Sequence, residues 1–309
     1  MKQQRIGVSG LFTGRLSYGC MRIAGTWDPK SFTPEMDAKG QEAVIAAYEA
    51  GYNLFDHADI YGRGLCEEVF GRVLKKVPGM REEVIIATKC GIRFPGEPNA
   101  DSPHRYDFSK EHILSSCEKS LERLGVETID IYQLHRPDLL MDPEEVLEAF
   151  EQLHAQGKVR YFGVSNFLPS FVDLLQAALP FPLLVNQVEI HLGRLACFTD
   201  GTLDQCIRDQ ITPLSWSPLG GGWLGDGGKA KEEKGEKLLE VLDATAKEHG
   251  VSRTVVSLAW LLKHPSGIVP IVGTVKPERI RDAAKADDLE LSREEWYRIL
   301  LAARGEALP

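Results

Sequence analysis

Apolar positions along the chain fall into eight short runs, at residues 16–21, 53–58, 84–89, 129–135, 159–165, 183–190, 211–216 and 267–273. Between them lie stretches with apolar residues every three or four positions, near 37–51, 64–77, 110–125, 142–157, 168–179, 201–210 and 276–286. The short runs read as buried strands and the longer periodic stretches as helices. Punctuation agrees with this. Asp142-Pro143-Glu144-Glu145 is a helix start with an acidic cap and a first-turn proline, and Gly125, Gly157 and Gly250 stand where helices stop. Two further helical stretches, 252–264 and 292–304, follow no strand of their own and are expected to decorate the outside. Ahead of the first run, 5–8 and 11–13 read as a hairpin turning at Ser9-Gly10 and closing the bottom.

Eight strand–helix alternations without a break in composition predict a closed α/β fold, a (β/α)8 TIM barrel forming a single domain over 1–309, in preference to an open doubly wound sheet. In such a barrel the carboxyl ends of the strands form one rim, and the loops after them build the site. The runs at 53–58, 84–89 and 129–135 carry Asp56, Lys89 and His135 to that rim, and Tyr61 follows in the loop after Asp56. Singly, each is an ordinary solvated or hydrogen-bonded strand-end residue. Together they equip a site to protonate a forming oxyanion. A phenol with a pKa of about 10 is a poor donor unless a cation stabilises its anion. Lys89 is expected to supply that charge, Asp56 to hold Lys89, and His135 to orient a carbonyl oxygen. No side chain carries a hydride, so a nicotinamide cofactor is implied. A metal is the competing reading, through Asp56-His57-Ala58-Asp59 and His135-Arg136-Pro137-Asp138. Their spacing matches no strong zinc pattern, and neighbouring cations oppose a dication, so none is expected.

Composition narrows the partners. With 45 acidic and 36 basic residues the net charge is −9, and no basic cluster offers a nucleic-acid or membrane surface. Six cysteines without a C-x-x-C pair suit a reducing compartment. No secretory pattern opens the chain, and no apolar run nears the roughly 20 residues of a membrane span. The expectation is a cytoplasmic monomer or small homo-oligomer acting on a small-molecule carbonyl substrate.

Asp56-x-Ala58-x-x-Tyr61-Gly62, followed by Glu67-Glu68-x-x-Gly71, resembles the aldo-keto reductase superfamily. The resemblance continues in order through Thr88-Lys89, Leu134-His135, Gly163-Val164-Ser165-Asn166-Phe167, Asn186-Gln187-Val188-Glu189, Trp216-Ser217-Pro218-Leu219 and Pro270-Ile271-Val272-Gly273-Thr274. Tyr61-Gly62-x-Gly64-x-x-Glu67-Glu68 is closer to the bacterial and potassium-channel-β-subunit branch than to the mammalian aldose reductases. What the resemblance implies is NADP(H)-dependent reduction of aldehydes or ketones, with Tyr61 as proton donor, Lys89 and Asp56 tuning it, and His135 directing the carbonyl. It implies that Ser165, Asn166 and Gln187 hold the nicotinamide carboxamide, that Trp216 stacks on the ring, and that Met21 and Asp56 approach the cofactor. Ser217, Pro218, Leu219 and Gly220 would follow the pyrophosphate. Thr274, Lys276 and Arg279 would face the adenosine, with Arg279 on the 2′-phosphate. Two departures stand out: Gly273 where many relatives carry lysine, and Ala283 where an asparagine often meets adenine, a role Asp282 would share. The loops 94–108 and 217–234 are candidate lids, and Trp27, Phe94, Tyr106 and Trp223 candidate pocket walls. The rival readings are an NADP(H)-sensing regulatory barrel and a metal-dependent hydrolase or lyase.

Overall fold

Ser17–Gly19, Leu54–Asp56, Ile85–Cys90, Ile129–Leu134, Val159–Ser165, Val185–Glu189, Thr212–Trp216 and Val269–Val272 are eight strands, and all pair in parallel with their neighbours in chain order. The ring closes where Ile271 and Val272 pair with Ser17 and Tyr18. These strands belong to a computed structural model that describes residues 1–308. Both faces of each strand are covered, which is why the sequence shows near-continuous apolar runs. Inward-facing residues such as Leu54, Ile85, Ala87, Ile131, Leu214 and Val269 fill the barrel. Outward ones such as Phe55, Ile86, Tyr132 and Phe162 pack beneath the helices. Because the side-chain period is two, the inward set of the second and third strands continues past Leu54 and Ala87 to Asp56 and Lys89. Polar residues thus reach the top of an apolar barrel.

The helices begin and end where the local chemistry dictates. Asp142 accepts from the Glu144 amide at 2.9 Å ahead of Pro143–Ala155, and Gly125, at φ 66°, ends Lys110–Leu124. Three details differ from the expectation. The hairpin pairs Gln3–Arg5 with Phe12–Gly14, and its connection is the whole of 6–11 rather than Ser9-Gly10. Ile6 is drawn out of the strand because its side chain is fully buried in the barrel floor. The stretch 252–264 is no appendage. As Arg253–Leu262 it is the helix between the seventh and eighth strands, with Val255 to Leu262 all buried. The external pair is Glu233–His249, whose lysine- and glutamate-rich start reads as loop in the sequence, and Arg293–Arg304, which packs on it. Arg293–Arg304 is also tied to the barrel helix. The Trp260 and Trp296 rings stack 4.8 Å apart, and each indole N–H donates to the other's carbonyl, at 3.0 and 2.9 Å.

Within the loop 94–108 region, Ile92–Arg93 and Arg105–Tyr106 form a short antiparallel hairpin. Arg63 latches it to the loop after Tyr61, lying 4.3 Å over the Phe94 ring and 3.3 Å from Glu97. Among the described residues no helix is long and apolar enough to cross a membrane.

Candidate active site

The second strand's ladder runs on past Asp56, with the His57 amide donating to Ala87 and the Asp59 amide to Lys89. A tight turn follows in which Gly62 and Arg63 take φ of 57° and 55°, and it folds Tyr61 back over the barrel mouth. There the four predicted side chains meet. Lys89, fully buried, donates to Asp56 Oδ1 and Oδ2 at 2.7 and 2.9 Å, to the His57 carbonyl at 2.7 Å and to the Tyr61 hydroxyl at 3.3 Å. The His135 ring stands edge-on to Tyr61, with centroids 5.9 Å apart. Tyr61 and His135 keep 8% and 7% of their surface open, so the buried pair ends in two groups a ligand can touch.

Burial sets the protonation states. It disfavours the Lys89 ammonium, but the Asp56 carboxylate and the Tyr61 hydroxyl outweigh it and hold the lysine above its ordinary pKa. Burial also pushes the Tyr61 phenol up, and Lys89 pulls it only part of the way back. Lys89 thus acts on the phenol in the direction expected of a cation that stabilises its anion, but desolvation is the larger effect and the hydroxyl keeps its proton. Burial, then Lys89 and Arg136, drive the His135 imidazole well below its ordinary range, so it is neutral.

The residues predicted to hold a carboxamide form a chain that runs from this cluster. Gln187 Nε2 donates to Asp56 Oδ1 at 2.7 Å, Ser165 Oγ to the Gln187 carbonyl at 2.9 Å, and Asn166 Nδ2 to Ser165 Oγ at 2.8 Å. Asn166 sits at φ 61°, and its Oδ1 accepts from the half-buried Trp216 indole at 2.9 Å. The sequence missed that Gln187 braces Asp56. The available signal was its inward place on the sixth strand, two residues beyond Val185.

A nicotinamide dinucleotide fits this surface on two grounds. Trp216 offers a half-open ring face tethered at its N–H. Beyond it, Gly220, Gly221 and Gly222 take φ of 57°, 73° and 107°, and a Cβ at Gly221 or Gly222 would meet nothing within 4 Å, so the bare backbone is approachable. Ser217 is exposed, Pro218 is buried, Leu219 is half-buried, and Met21 lies exposed at the end of the first strand. Thr274, Lys276 and Arg279 lie apart from the cluster, at the start of Pro277–Ala284. Lys276 and Arg279 are exposed and have no side-chain hydrogen bond or ion pair among the described residues. Asp282 accepts from Ser252 Oγ at 2.6 Å and Lys285 Nζ at 2.9 Å, so it is engaged in the fold.

Of the four candidate aromatic walls, Trp27 stands edge-on to Tyr61 at 6.4 Å, while Phe94 lies under Arg63. Tyr106 packs on His104 of its own loop, and Trp223 lines a separate cleft of about 560 Å³ with Gly220, Lys229 and Lys231. No group of three or more His, Cys, Asp or Glu side chains among the described residues is placed to hold a metal ion.

Comparison with known proteins adds the following. The family described as Aldo/keto reductase family matches residues 15–302. An oxidoreductase of Bacillus subtilis is 44% identical over 276 residues, covering 88% of this chain and 91% of its own. A 6-dehydroglucose reductase of Novosphingobium aromaticivorans is 40% identical, covering 99% of this chain and 97% of its own. Among solved structures, the glycerol dehydrogenase of Gluconobacter oxydans superposes with a TM-score of 0.87 at 26% identity, covering 99% of this chain and 97% of that one.

Proposed function

The chain belongs to the aldo-keto reductase family, and from that premise we propose that it reduces aldehydes or ketones with NADPH, Tyr61 delivering the proton. The observation that carries the reading is the placement of the Lys89 ammonium, held by both oxygens of Asp56 and 3.3 Å from the Tyr61 hydroxyl. When bound, the nicotinamide supplies the hydride. The chain's own residues do the rest. Neutral His135 donates an N–H to the carbonyl oxygen and fixes its direction. Tyr61 O–H gives its proton to that oxygen as negative charge develops there. Lys89 stabilises the phenolate left behind, and Asp56, braced by Gln187, keeps Lys89 from turning away. Ser165, Asn166 and Gln187 hold the carboxamide, Trp216 backs the ring, and the 217–222 loop takes the pyrophosphate.

For the adenosine end, exposed and unpaired Lys276 and Arg279 at a helix start suit a 2′-phosphate, which favours NADPH over NADH. A reducing, cytoplasmic setting fits the six free and buried thiols. Because one relative is named a 6-dehydroglucose reductase, the 6-aldehyde of glucose belongs in the first substrate panel. The test is Tyr61→Phe. Turnover of 4-nitrobenzaldehyde should fall by roughly 10²–10⁴, with NADPH still bound by fluorescence titration. Undiminished turnover removes Tyr61 from the chemistry.

A further inference from the structure

Arg136 follows His135 at the barrel mouth, and its guanidinium stands 5.5 Å over the ring of Trp216, across the rim. The residue is half-buried, and its guanidinium has no hydrogen-bond or ion-pair partner among the described residues. Each of the other half-buried arginines has one, a carboxylate or a carbonyl, as Arg81 has Asp130 and Arg123 has Glu67. The acids of its own surroundings are engaged elsewhere. Asp138 accepts from the Phe108 and Leu140 amides at 3.0 and 2.9 Å, and Glu189 pairs with His191 and Arg194. Its nitrogens are not among the buried atoms that lack a partner, so water reaches them, and a ligand at the mouth can take the place of that water without breaking a protein contact.

We propose that Arg136 receives an oxyanion of the substrate, so that the enzyme prefers small aldehydes or ketones carrying a carboxylate or phosphate close to the carbonyl. This rests on the reductase reading above and adds a substrate class to it. Arg136 is near enough to help depress the His135 imidazole and stands over Trp216 on the same rim, so a carbonyl held by His135 leaves the oxyanion of a short substrate for the guanidinium to fork onto. The fork has a second use. With a net charge of −9 the protein repels anions at long range, and a local cation at the mouth offsets that where it matters. Arg136 is here a binding and specificity residue, and it takes no proton.

The experiment compares matched charged and neutral substrates on the intact enzyme with NADPH. Succinic semialdehyde is set against methyl 4-oxobutanoate, and glyceraldehyde 3-phosphate against glyceraldehyde, with 4-nitrobenzaldehyde and the 6-aldehyde of glucose alongside. For wild type, kcat/KM should favour the charged member of at least one pair by about tenfold or more, mostly through KM, as expected for a charge-assisted bidentate contact. Which pair responds separates carboxylate from phosphate. Arg136→Gln should bring that ratio near one, and Arg136→Lys should restore part of it. A wild-type ratio near one alongside normal 4-nitrobenzaldehyde turnover overturns the proposal and leaves the reductase reading intact, and it needs no variant to fold. A clear preference for the neutral sugar aldehyde does the same. So does an Arg136→Gln enzyme whose ratio is unchanged, or whose only defect is weaker NADPH binding. Absence of turnover on every carbonyl overturns both readings.

Discussion

The tetrad and the proposed adenosine end both follow strand termini, yet the chain treats their charges in opposite ways. Lys89 is fully buried and has four protein oxygens within 3.3 Å, two of them from Asp56. Lys276 and Arg279 lie in the open at the start of Pro277–Ala284, with no side-chain partner among the described residues. A buried ammonium must be satisfied by its own fold, so its position is set before any ligand arrives. A solvated cation is satisfied by water and waits for a ligand to give it an orientation. Chemistry demanding sub-ångström placement belongs at the first kind of site, and selection between two closely related cofactors can be left to the second.

The contrast is broken most severely by Lys89→Met. It strands the Asp56 carboxylate, so carbonyl reduction should drop by roughly 10²–10⁴, and urea unfolding should lose about 3–5 kcal/mol. Near-normal activity and stability together would show that the pair neither stabilises the fold nor serves the reaction. Next comes Arg279→Ala, which should weaken NADPH about tenfold through loss of a charge-assisted contact while NADH changes little. Fluorescence titration gives both constants, and equal losses would exclude a 2′-phosphate contact. The smallest expected effect is that of pH. His135 is held well below, and Tyr61 above, its ordinary value. Reduction needs the imidazole neutral and the phenol protonated, so kcat should stay flat from about pH 6 to about pH 9.5 and fall only beyond the phenol's ordinary range. An inflection near pH 7 would show that one of the two is less buried in the working enzyme.

The same contrast governs what could be read from the chain alone. Asp56, Lys89 and His135 are legible because each ends an apolar run, where a charge is out of place unless the rim uses it. Gly250 marks the end of the helix at 233–249, but its start is hidden by the charges from Lys229 to Lys237, which look like loop although Leu238, Leu239 and Leu242 on one face are buried. Arg253–Leu262 reads as an appendage because it follows no strand directly, Glu233–His249 standing between it and the seventh strand, when in fact it is enclosed by the barrel on one side and other helices on the rest. The phenol's raised pKa depends on the depth of burial, which a linear motif does not contain. Nor can sequence show that a particular arginine lacks a partner. Arg136 becomes informative only once every nearby acid has been placed.

The stacked Trp260 and Trp296 indoles carry a consequence of another kind. Two chromophores stacked at 4.8 Å are close enough for their electronic transitions to couple, and any circular-dichroism band arising from that coupling is expected only while Arg293–Arg304 stays clasped to the barrel. Following that band on heating, beside the far-ultraviolet helix signal, would time the release of the tail against the melting of the whole without any label.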